Sequence, residues 1–230
     1  MKTIKLRRSR SGFTIIELMI AISILSIILL MVTFVLMNIG ALYTKGVNLA
    51  TVQNDNRNII QNLTTSVQYS GVQMSGPSTA SYNYGGVNIP VQAICFGDIR
   101  FSYILGFYSI PHVLWKDIMT GQGSCEPLNI GLSSPVCGGP VGCLGSVPGS
   151  GSELVGPHMH LASLTVGALH FTNNLYSIEV GLAYGSKDLF KQSSGNYVMN
   201  NGNYICNNTT GQQFCATSTL STVAMERVNQ

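Results

Sequence analysis

Glu17 stands inside residues 13–37, FTIIELMIAISILSIILLMVTFVLM, where only Thr and Ser supply other polar side chains. A carboxylate in so apolar a helix is costly and rare without a partner. It calls for a cation, or for a place near enough to the helix end to reach water. Cys95, Cys125, Cys137, Cys143, Cys206 and Cys215 all follow this stretch, and an even number of cysteines in a domain outside the cytoplasm suits disulfides. There is no Cys-x-x-Cys pair to suggest a redox or zinc-ribbon site. Six cysteines allow fifteen complete pairings, and proximity favours Cys206 with Cys215 and Cys137 with Cys143. His158-Met159-His160 offers two imidazoles from a strand, with His112 and His170 as further candidates. No acidic or Cys partner falls at metal-ligand spacing, so a solvent-facing pair is expected. No motif supports a nucleophile, and Gly149 to Ser152 lacks the strand and the following Lys-Ser/Thr of a phosphate loop. No catalytic residue, metal or cofactor is expected.

Residues 13–37 are long enough to cross a bilayer as a helix at 1.5 Å per residue. Lys2, Lys5, Arg7, Arg8 and Arg10 precede them, so the formal charge of +3 is a local property of the N-terminus. Without those five cations, seven Lys+Arg face 9 Asp+Glu, and no basic nucleic-acid surface follows from composition. Contact with nucleic acid is left open. A secretory signal has its cleavage site beyond a shorter apolar run, whereas here Ser11-Gly12 lies directly before it. A cut between Gly12 and Phe13 would make Glu17 the fifth residue and create an ammonium at Phe13.

The run RRSRSGFTIIELMIAISILSIILL closely resembles the class III leader and N-terminal helix of type IV prepilins and type II secretion pseudopilins. The resemblance covers about residues 7–36. It implies cleavage between Gly12 and Phe13 by a prepilin peptidase and methylation of the new Phe13 amine. It also implies an assembly role for Glu17, whose carboxylate attracts the N-terminal ammonium of a neighbouring subunit. Major pilins usually carry a proline well along this helix, but Phe34 and its neighbours do not, which favours a minor pilin or pseudopilin. A membrane-anchored adhesin or binding domain that keeps its leader is the alternative of another class.

Beyond the apolar run, Ile39, Leu42, Leu49, Val52, Ile59, Ile60, Leu63 and Val67 keep a three-to-four spacing, with Asn54 to Asn58 and Gln61 on the remainder. Ser70-Gly71 is a plausible stop. A helix of about 58 residues would be about 87 Å long. Residues 164–171 and 176–184 read as a hairpin around 172–174, with Tyr176, Ile178, Val180, Leu182 and Tyr184 on one apolar face. Residues 100–108 are a weaker strand candidate, residues 113–119 a strand or short helix, and the C-terminus a final edge strand. Residues 121–157, rich in Gly, Pro and Ser, read as a long surface loop held by cysteines.

The expected fold is α+β, with a long N-terminal helix packed on an antiparallel β-sheet head. The expected division is a leader at 1–12, a transmembrane half of the helix at 13–37, an amphipathic half at 38–71 and a disulfide-containing head at 72–230. The expected place is the inner membrane, with the leader cytoplasmic and the head exported, followed by a filament. The expected partners are the prepilin peptidase, other pilin subunits and the pilus or secretion machinery.

Overall fold

The computed structural model describes residues 12–84, 86–108, 112–119, 124–130, 151–170, 174–193, 196–207 and 211–227. It has the α+β architecture expected from the sequence, one long helix and antiparallel sheets. Helix α1 runs without interruption over Ile15–Tyr69, through both Gly40 and Gly46. The chain divides into two compact units, Met1–Tyr43 and Thr44–Gln230.

In the first unit α1 is exposed from Ile15 to Gly40, and it is long and apolar enough to cross a membrane. Its few hydroxyls are satisfied within the helix: Ser23 donates to the Ile20 carbonyl, Ser26 to Ile22 and Thr33 to Leu29. A polar side chain in hydrocarbon needs such a local acceptor.

In the second unit Val52, Ile59, Leu63 and Val67 are buried, one stripe at helical spacing. Ile39, Leu42 and Leu49, expected on the same face, are exposed. Asn56, expected among the polar residues, lies on the buried stripe. Its amide donates to the carbonyls of Val180 (3.1 Å) and Ser218 (3.0 Å), which is why a polar residue can sit there.

The first sheet is a meander of β1 (Ser75–Tyr84), β2 (Val87–Phe96), β3 (Ile99–Tyr103), β4 (Leu114–Ile118) and β5 (Ser152–Glu153), in that order. Gly97 turns the chain from β2 to β3 at φ 57, a left-handed conformation that favours glycine. The strand candidate at 100–108 ends at Tyr103, and 113–119 is a strand. The second sheet joins β6 (Met159–His170), β7 (Leu175–Tyr184) and β12 (Ala216–Met225) in the order β12-β7-β6. Between them lie two short ribbons, β8 (Gln192–Ser193) with β9 (Asn196–Tyr197), and β10 (Met199–Asn200) with β11 (Asn203–Tyr204).

The hairpin of β6 and β7 begins at Met159, five residues earlier than the pattern suggested; of its turn, 171–173 lie outside the described residues. Tyr176, Ile178, Val180 and Leu182 are buried, but so are Gly181 and Ala183 on the opposite face. A second cluster of Ala162, Ala183, Phe190, Tyr204 and Cys215 covers that face. β12 is an edge strand, pairing β7 over ten consecutive positions.

Residues 121–157 are not loop throughout. Ser152–Glu153 pairs with β4, and Ile130 is fully buried beside Ile89, Val91 and Ile104. Arg100 donates to the Glu126 carbonyl at 2.9 Å, and Ser102 accepts the Leu128 N–H at 3.0 Å. Residues 131–150 lie outside the described residues.

Candidate functional site

Gly12 and Phe13 precede the first helical residue, and the Phe13 ring is 84% exposed. Thr14 is the N-cap. Its backbone N–H and its hydroxyl both donate to Glu17 Oε2, at 2.9 and 2.8 Å, and its Oγ1 accepts the Glu17 N–H at 3.4 Å. This reciprocal arrangement is a capping box, in which N-cap and third helical residue satisfy each other's backbone donors. A carboxylate in the first turn also meets the positive end of the helix dipole. Within its own chain Glu17 therefore has a partner, and the partner is neutral. The Thr-x-x-Glu spacing is the sequence signal for Thr14 as the cap. The basic residues of the leader lie outside the described residues.

The structure joins Cys95 to Cys125 and Cys206 to Cys215, with Cα atoms 5.8 and 5.9 Å apart. Cys137 and Cys143 lie outside the described residues. The first bridge ties β2 to the segment that holds Ile130, and the second ties the stretch after β11 to the start of β12.

The histidines are not a solvent-facing pair. His158 is exposed at φ 62, whereas His160 packs its ring on Phe107 with centroids 4.5 Å apart. His112 joins them around a cavity of about 560 Å³ that also includes Tyr108, Glu153 and Ser186. Glu153, which no short-range pattern marked, accepts the N–H groups of Val113, Leu114 and Val155, and its Oε2 lies 3.2 Å from His112 Nδ1. Burial pushes its carboxyl up to about 7, although those N–H groups pull the other way. Burial lowers the pKa of His112 and of His160. Among the described residues no three His, Cys, Asp or Glu side chains converge as a metal site. His170 is described in backbone only.

No curated protein and no solved structure matches the chain. Residues 7–33 match the prokaryotic N-terminal methylation motif, and with the long apolar helix behind it this chain carries the N-terminus of a type IV pilin-like or pseudopilin protein.

Proposed function

We propose that the chain is a minor pilin, a structural subunit of a type IV pilus-like filament. A prepilin peptidase cuts between Gly12 and Phe13 and the Phe13 amine is methylated. The subunit waits in the inner membrane with its head exported, then enters the filament through its N-terminal helix. The observation that carries this reading is the methylation motif over residues 7–33, in which Glu17 stands five residues from the cut. In assembly the Glu17 carboxylate would exchange its Thr14 donors for the Phe13 ammonium of a neighbour. Opposite charges attract strongly where water is excluded, so the exchange sets the axial register of the helices.

Intact mass and N-terminal sequencing of the membrane protein, from cells with and without the peptidase, test the reading. A methylated Phe13 start that disappears without the peptidase is expected, with loss of filaments in Glu17→Ala. A chain beginning near Met1 in both strains would replace it with an uncleaved anchor carrying a binding domain. A type II secretion pseudopilin shares these features, and the missing proline near Phe34 suits it equally. A deletion strain that keeps its pili but fails to secrete would assign the chain there.

A further inference from the structure

Three of the chain's 4 histidines gather on one cavity of the head, together with Tyr108 and Ser186. A smaller cavity of about 320 Å³ shares Tyr108, His160 and Ser186 with it and is closed by Phe107 and Lys187. The two make one elongated cleft, within the size range of small-molecule sites.

The cleft's chemistry narrows the ligand. Among the described residues of its lining there is no Arg, and Lys187 stands only at the far end, so no described cation faces an anion in the larger cavity. Glu153 has its oxygens engaged by backbone N–H groups and shapes the wall. Burial disfavours the cations of His112 and His160 and so favours their neutral rings. A neutral imidazole offers one donor and one acceptor, as a hydroxyl does. His112 Nδ1 faces Glu153 Oε2 at 3.2 Å, and His160 Nδ1 is buried without a hydrogen-bond partner among the described residues. These groups match a ligand whose own groups both donate and accept.

The aromatic wall supplies the other half. Tyr108 folds over Gly106, whose φ of 111 and missing side chain make the room: a Cβ there would lie 3.3 Å from Tyr108 Cε2. Phe107 is gripped by the rings of His160, Phe190, Tyr197 and Tyr204, with centroids 4.4 to 4.7 Å away. A ring held as Phe107 is loses little freedom when a ligand packs on it.

We propose that this cleft binds a neutral oligosaccharide of two or three sugars, stacked on Tyr108 and hydrogen-bonded by His160, His112 and Ser186. The site would give an exported subunit affinity for glycans, and it does not depend on filament assembly.

Trp115 reports on the site, since it is the chain's only tryptophan and its ring lies 4.7 Å from that of His112. The full-length chain, in a detergent without a sugar head group, is titrated with maltotriose, cellotriose, N,N′,N″-triacetylchitotriose and lactose. At least one is expected to change Trp115 fluorescence saturably, with a Kd near or below about 10 mM. Tyr108→Ala is expected to weaken that binding about tenfold. Ser186 is exposed, so Ser186→Ala leaves folding intact and should raise the Kd at least threefold, roughly what one lost hydrogen bond costs. No saturable response to any of the four sugars, or a Kd unchanged in both variants, overturns the proposal. So does a response confined to an acidic sugar such as sialyllactose.

Discussion

At the scale of single residues, two polar groups carry the most consequence, the buried Asn56 and the half-buried Glu153. Asn56 spends its amide on two strand carbonyls, so Asn56→Ala should cost about 1–3 kcal/mol of head stability in urea unfolding. Asn56→Asp should cost more, because an oxygen would face both carbonyls, and part of that loss should return as the pH falls and the acid is protonated. An aspartate no worse than the alanine would mean the amide is not the donor. Glu153 makes the second case. Its folded pKa of about 7 lies above the ordinary 4.5, so the folded chain keeps a proton that the unfolded chain releases between those values. Its contribution is fully present below pH 4.5 and is lost as the pH rises to about 7. His112 and His160 act with the opposite sign, gaining as the pH climbs toward 6.5. The comparison with Glu153→Gln isolates the carboxyl: wild type should lose stability relative to the variant across that window. Parallel pH profiles would show that Glu153 does not hold the proton.

At the scale of elements, the two disulfides differ in what they close. Cys95–Cys125 spans 30 residues and Cys206–Cys215 spans 9. In the chain-entropy account, removing the first pair should cost about 4 kcal/mol and the second about 3 kcal/mol, measured on double Cys→Ser variants by denaturant unfolding. The reverse order would point to packing of the Ile130 segment as the smaller effect. What could be read in advance follows the physics of each element. The stripe of Val52, Ile59, Leu63 and Val67 was legible because three-to-four spacing of apolar residues has one helical meaning. Asn56 was not, since nothing local tells a buried amide from a surface one. The hairpin of β6 and β7 was visible through Tyr176 to Leu182, while its second covered face was hidden, because Phe190 and Tyr204 arrive from distant ribbons. β1 and β2 raised no expectation at all. Ser75–Tyr84 is polar and contains Gly-Pro, and at its end β2 buries Ala93, Ile94, Cys95 and Phe96 in succession, so neither strand alternates. Thr14 and Glu17 were fully local and could have been read as a cap; the cleft around His160 could not, since its walls come from four separate stretches of chain.

At the scale of the whole molecule, the N-terminal motif at residues 7–33 supports a pilin-like or pseudopilin protein, and it leaves the head outside the match. The core of that head is continuous from the Val52 stripe of α1 through β2 and β3 to β6, β7 and β12. One atom holds a special place in it. The Ser218 carbonyl on β12 accepts the amide of Asn56 from the helix and the amide of Asn203 from β11, at 3.0 and 2.8 Å, while Asn203 also donates to Leu182 on β7. Helix, sheet and ribbon are thereby fastened to one peptide group. None of the three can come loose alone without stranding a polar group in the interior. In deuterium exchange the amides of residues 56–67, β7, β11 and β12 should therefore lose their protection together, at one common opening free energy. Separate release of the helix would mean that the fastening is slack. A head that opens as one block has no intermediate half-open form in which its strand edges lie bare, and that cooperativity shields the folded chain from edge-to-edge aggregation.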